Sequence, residues 1–334
     1  MNTEELNLRG GLVDYLKFAL SFLVVIIHSI KPDFLSPILR CAVPLFFILS
    51  SYFFFSKYDL LIDIKEKRKC LYNYIRRIFK LYLFWLIILL PFTIDYRNWY
   101  EVNIWNIVRS FCFSSTFPAS WYIMASIIGM LLIVLMDKFL NHKIIIIICL
   151  ASYLFCCATS NYGNLIIPYW DNIYELYEYC FTVPYNSFPV SLIWIYLGMF
   201  MSRNRYTFKK NDFKNVCLFV GSLFLLYIEY YLIKKFNLSK TDDCYIFLLP
   251  TCYFFLMFIG RMKILAKPNL FLRKTSTIIY CTHIPLMHML MHIFIVLNVT
   301  IKYWIVLLII LSGILVSFLI TKLEPKIKFL RYSY

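Results

Sequence analysis

Charge is scarce in this chain. Asp, Glu, Lys and Arg make up 16% of its 334 residues and 61% are hydrophobic, with a mean hydropathy of +0.71. A soluble domain is about a quarter charged, so an ordinary soluble fold is excluded. Glycine is also sparse, at 8 residues. There is no glycine-rich nucleotide loop and no Walker pattern, which argues against a phosphate-binding loop of that type. No internal repeat is visible. The 11 cysteines have no repeated metal-ligand spacing. Cys156 and Cys157 are adjacent inside an apolar run, so the set reads as small packing residues and not as a disulfide framework. The first eleven residues lack a basic leader and a small-residue cleavage site. The expectation is a retained first helix and a single membrane domain over 1–334, with no fused soluble module.

Windows able to cross about 30 Å of hydrocarbon fall near 12–30, 38–56, 78–94, 119–136, 144–160, 188–202, 215–233, 245–260, 276–297 and 302–320. The expected class is therefore an all-α integral membrane protein of about ten transmembrane helices. Most of the 34 Lys and Arg fall in alternate connections, while acidic residues divide evenly. The positive-inside rule then puts the N- and C-termini in the cytoplasm. The net charge of +16 is mostly this bias, and it argues against a nucleic-acid partner.

Two connections stand out. Lys57 to Lys80 holds Lys65, Lys67, Arg68, Lys69, Arg76 and Arg77. Such a run marks orientation and lies on anionic membrane lipids; its sharper reading is a cradle for a phosphate-rich molecule, because guanidinium forks match phosphate oxygens. The segment 161–187 is rich in Tyr, with Trp170, Asp171, Glu175 and Glu178, and has no Lys or Arg. Aromatic faces beside carboxylates suit sugar rings, and an interfacial aromatic belt has the same composition.

Ionisable residues inside spans mark sites of chemistry. Lys17 and His28 are eleven residues apart; at about 100° and 1.5 Å per residue they share one helix face, about 16 Å apart. Asp14 and Lys17, at i,i+3, are placed to pair. Lys17 also fits an interfacial lysine that snorkels, and His28 a hydrogen-bonded histidine at the far interface. The fourth window opens with Ser120-Trp121-Tyr122. The ninth carries Ser276, Tyr280, Thr282, His283, Pro285, His288 and His292. His288 and His292 have ligand spacing, but no carboxylate accompanies them in that window, so no metal is expected. Helical arithmetic puts His283 about 180° from His292.

In this order the pieces resemble the acyltransferase 3 family of membrane acyltransferases, which includes bacterial O-acetyltransferases of surface polysaccharides. That family opens with Arg or Lys separated from a His by ten residues, often after an Asp: here Asp14, Lys17 and His28. A Val-Pro-x-Phe-Phe-x-x-Ser-Gly motif is matched by Val43-Pro44-Leu45-Phe46-Phe47-Ile48-Leu49-Ser50-Ser51. An Arg pair leading into the third helix is matched by Arg76-Arg77, a Trp-Tyr by Trp121-Tyr122, and a late Tyr-x-x-His-x-Pro by Tyr280 to Pro285. The likeness covers most of the chain. Lys17 stands where Arg is commoner, Ser51 replaces Gly, and Lys80 replaces a frequent Pro.

The resemblance implies transfer of an acyl group, most simply acetyl, from cytoplasmic acetyl-CoA or another acyl-CoA to a hydroxyl of a cell-surface glycan or lipid-linked sugar, without a metal. The location implied is the inner (plasma) membrane. It assigns Arg76 and Arg77 to the CoA phosphates and His28 to base or acyl-carrier duty. Lys17, buttressed by Asp14, would hold developing charge; Trp121, Tyr122, His283 and Ser50 would contact substrates. The alternative is a polytopic transporter or flippase for a lipid-linked sugar, which uses intramembrane ionisable residues equally well.

Overall fold

A backbone surrounded by hydrocarbon must satisfy its own N–H and C=O groups, so long apolar runs become helices. The computed structural model describes residues 11–30, 32–97, 103–204, 212–260, 266–297 and 304–334, and among these it is helical with no strand. The first half contains α1 (Gly11–Ser29), the short α2 (Ser36–Leu39), α3 (Ala42–Tyr58), α4 (Ile64–Ile88), α5 (Leu90–Arg97), α6 (Ile104–Phe113) and α7 (Trp121–Phe139). The second contains α8 (His142–Thr159), α9 (Gly163–Phe181), α10 (Phe188–Arg203), α11 (Asp212–Lys235), α12 (Leu248–Ile259), α13 (Leu270–Val296) and α14 (Trp304–Leu323).

Seven helical segments among the described residues are long and apolar enough to cross a membrane: 11–29, 33–58, 121–139, 142–159, 213–235, 270–296 and 304–323. The chain is thus a multi-pass membrane protein. The windows at 188–202 and 245–260 become the shorter apolar helices α10 and α12. The window at 78–94 falls on the C-terminal part of α4 and on α5. Asp63 caps α4 by accepting the Lys65 backbone N–H at 3.1 Å, and α4 continues unbroken from the basic segment into the apolar one. The stretch 161–187 is largely helical: α9 covers most of it, with a kink at Trp170, two residues after Pro168.

Packing divides the molecule into groups. α10 sits centrally against α3, α7 and α8, while α1 lies on α13 and α13 on α14, and α11 pairs with α12. The α10–α3 contact is very close. A Cβ on Gly198 would stand 1.9 Å from Ser51 Oγ and 2.4 Å from the Ile48 carbonyl oxygen, so only hydrogen fits there. Ser51 turns its hydroxyl back to the Phe47 and Ile48 carbonyls. At one end of the bundle Arg203 grips Asp59 through Nε and Nη2 (2.9 and 3.0 Å) and Asp137 through Nη1 and Nη2 (2.6 and 2.7 Å). That fork ties the ends of α3, α7 and α10. The groups meet where α1 crosses between α3 and α13, and the candidate site lies along this seam.

Candidate active site

α1 presents Lys17 and His28 to different cavities. Lys17 lines a cavity of about 400 Å³ with Ser50, Arg77, Tyr122, Arg273 and Lys274. His28 lines a second one, of about 220 Å³, with Arg40, Trp121, Tyr185, Trp194 and Asp243. Tyr280 of α13 belongs to both. Its hydroxyl donates to the Ala119 carbonyl oxygen at 2.6 Å, and Ala119 has φ 64°. A non-glycine residue in that left-handed region carries strain of about 1 kcal/mol or more. This hydrogen bond anchors Tyr280 where it lines both chambers.

The Lys17 chamber is cationic. Four basic side chains border it, and two of them are partly neutralised. Arg273 donates from Nε to Asp14 Oδ1 (2.8 Å) and from Nη2 to Oδ2 (3.2 Å), and the Asn269 backbone N–H donates to the same Oδ2 (2.9 Å). Lys274 Nζ donates to Glu324 at 2.9 Å and lies 4.1 Å above the Tyr334 ring. Tyr334 and Lys274 together hold the Glu324 carboxyl below the usual carboxylate range.

The expected Asp14–Lys17 pair is corrected. Asp14 is 2% exposed and turned toward the start of α13, where the Arg273 fork meets both of its oxygens. A single ammonium cannot match that geometry. Lys17 points instead toward Phe53, with Nζ 6.0 Å from the ring centre. Sequence reasoning missed Arg273, because its partner is 259 residues away. The adjacent Arg273-Lys274 ahead of a polar-faced helix was the available signal.

The other expected residues divide between the chambers. Arg77 reaches the Lys17 chamber and a neighbouring groove lined by Ser50, Lys57, Cys70 and Tyr74. Arg76 lines neither and lies over the Tyr72 ring, 6.0 Å from its centre. One helical step, about 100°, separates them. Ser50 shares a hydrogen bond of 3.1 Å with Tyr74. Trp121 faces the His28 chamber and Tyr122 the Lys17 chamber, so the dipeptide spans both sides. Of the aromatic segment 161–187, only Tyr185 and Asn186 line the chamber, while Tyr169 and Trp170 are exposed.

His283, the other histidine expected at the site, is 2% exposed and absent from the lining of both chambers. Its ring lies 5.1 Å from that of His28, centre to centre. His292 is exposed on α13, and among the described residues no three His, Cys, Asp or Glu side chains gather as a metal site would need.

A cationic chamber attracts anionic groups such as phosphates. The imidazole of His28 stands among Trp and Tyr rings, and Tyr280 lines both chambers. Three comparisons bear on this arrangement. A family model described as an acyltransferase domain, that of the acyltransferase 3 family, matches residues 12–322. The chain is 22% identical over 301 residues to an amino-acid racemase of Enterococcus faecalis, covering 85% of this chain and 42% of that protein. It is 23% identical over 259 residues to a serine/alanine racemase of Enterococcus gallinarum, covering 73% of this chain and 36% of that protein. The chain thus spans less than half the length of these curated relatives. No solved structure matches it.

Proposed function

Because this chain belongs to the acyltransferase 3 family, we propose that it is a membrane O-acyltransferase. It moves an acyl group, acetyl in the simplest case, from cytoplasmic acyl-CoA to a hydroxyl of a cell-surface or lipid-linked glycan. The observation that carries this reading is the pair of chambers meeting at Tyr280, cationic on one side and imidazole-bearing on the other. The Lys17 chamber faces the cytoplasm in the ten-span, inner-membrane topology with both termini inside. Arg77, Arg273 and Lys274 fit the donor's phosphates. Lys17, deeper along α1, offers its ammonium to the thioester carbonyl, where charge develops in the transition state.

His28 acts from the opposite chamber. Its lone pair takes the proton of the acceptor hydroxyl as that oxygen attacks the thioester carbon. The C–S bond breaks, and the imidazolium returns the proton to the departing thiolate. Acyl-CoA and alcohol thus become ester and CoA thiol, with no metal required by the proton balance. Trp121, Tyr185 and Trp194 offer ring faces to an acceptor sugar. The activity in the racemases' names is not carried over, because more than half of each lies outside the matched region.

The same two chambers favour, as a second reading, a transporter for a lipid-linked sugar, with Tyr280 as its closed gate. The readings separate on covalent chemistry. Mass spectrometry of the surface glycan is compared between cells making the wild-type protein, cells making His28→Ala at equal membrane level, and cells without it. The enzyme reading expects the acyl mass only with wild type. An acylated glycan in the His28→Ala cells rules it out.

A further inference from the structure

We infer that His283 is the positioning residue of the transfer: it accepts the N–H of His28 on its Nε2 and so fixes which His28 nitrogen faces the acceptor. This rests on the acyltransferase reading of His28 given above.

The inference begins with an asymmetry in His283. Its Nδ1 lies 2.7 Å from the Tyr280 carbonyl oxygen. A carbonyl only accepts, so Nδ1 carries the proton and neutral His283 keeps its lone pair on Nε2. That nitrogen is buried and has no hydrogen-bond partner within the protein. A buried acceptor left unsatisfied costs about 1–3 kcal/mol, and an apolar side chain of similar size would fill this place without that cost.

The nearby donor is His28. With ring centres 5.1 Å apart, two imidazoles aligned nitrogen to nitrogen leave about 2.9 Å between those atoms, a hydrogen-bond distance. The rings are tilted by 44°, so the proposed alignment requires the His28 ring to turn toward His283. His28 then donates one N–H to His283 and turns its other nitrogen, with the lone pair, toward the acceptor hydroxyl.

The chain Tyr280 carbonyl–His283–His28 follows the logic of a nucleophile's base held by a third group, here with a backbone carbonyl at its end. It also ties catalysis to Tyr280. The residue that separates the chambers supplies the carbonyl that sets the His283 tautomer and anchors its own hydroxyl on Ala119.

The proton path stays balanced. His283 neither gains nor loses a proton over the cycle. The proton leaving the acceptor resides on His28 and passes to the thiolate, while the His28–His283 hydrogen bond strengthens as His28 becomes cationic.

The test uses the purified full chain, with acetyl-CoA as donor and water as acceptor, read by CoA thiol release. The variants are His28→Ala, His283→Leu and His283→Gln, each checked for folding by thermal unfolding. The expected result is background rate for His28→Ala. For His283→Leu, kcat falls by about 100-fold with KM for acetyl-CoA nearly unchanged. His283→Gln recovers much of kcat, because its side-chain carbonyl can accept at the Nε2 position. Wild-type kcat in His283→Leu, with His28→Ala inactive, overturns the inference and leaves the acyltransferase reading standing. So does a raised KM at unchanged kcat, which would make His283 a substrate contact, or a folded His283→Gln as slow as His283→Leu. If His283→Leu does not fold, His283→Gln decides alone: near wild-type kcat supports the positioning role and background rate overturns it. Activity in His28→Ala, or no thiol release by wild type, counts instead against the acyltransferase reading itself.

Discussion

Lys17 carries the residue-scale argument. It replaces the Arg common in its family, and its predicted partner Asp14 belongs to Arg273. That leaves its ammonium to the chamber it shares with Ser50, Tyr122 and Arg77. An ammonium is a point charge, so it stabilises developing charge without needing a fork's geometry. Lys17→Ala is expected to lower kcat/KM for acetyl-CoA by roughly 10–100-fold, the loss of one charge-assisted hydrogen bond. Lys17→Arg is expected to stay within about tenfold of wild type. Steady-state thiol release by the three proteins checks this, and equal rates would make Lys17 a snorkelling side chain only. Lys17 and His28 were legible because two ionisable groups on one apolar stripe are costly. That they line different chambers was not, since the chambers are built with Tyr280, which arrives from a helix far along the chain.

At the scale of elements, the close approach of α10 to α3 does the positioning. Ser50 borders the Lys17 chamber and Ser51 faces Gly198, so displacement of α3 would move both the chamber wall and the seam with α1. Gly198→Ala places a methyl against the Ile48 carbonyl oxygen as well as the Ser51 hydroxyl. Overpacking of this kind costs about 1–3 kcal/mol. The expected outcome is a lower midpoint of thermal unfolding in detergent, partly restored by Ser51→Gly, which removes the clashing hydroxyl. The Ser51 substitution was visible in the motif, but the glycine opposite it was not, because pairing of helices distant in sequence leaves no mark in either one. α4 shows a different limit of the sequence. Its window near 78–94 was hydrophobic enough to notice, yet the helix begins at Ile64 among charges, and hydropathy gives no reason to fuse the two. The composition of 161–187 does not disclose its helical form, whose kink beyond Pro168 leaves Tyr169 and Trp170 at the surface.

The whole molecule holds two differently lined chambers that share Tyr280. On the Lys17 side Arg77, Arg273 and Lys274 gather beside a wall that includes Tyr334; on the His28 side Arg40 and Asp243 pair at 2.5 Å among Trp and Tyr rings. The basic composition of the chain foreshadowed the first. The second could not be read ahead, because Asp243 and Arg40 are joined only by the fold. The central claim is that an acyl donor enters from the Lys17 side and leaves its acyl group on the His28 side. The most direct measurement is CoA thiol release in proteoliposomes with acetyl-CoA supplied to one face at a time, the orientation of the protein being read by protease access to the 57–80 segment. Thiol release is expected only when acetyl-CoA meets the face bearing that segment, and none with His28→Ala. Release from the opposite face alone, or undiminished release by His28→Ala, would contradict it.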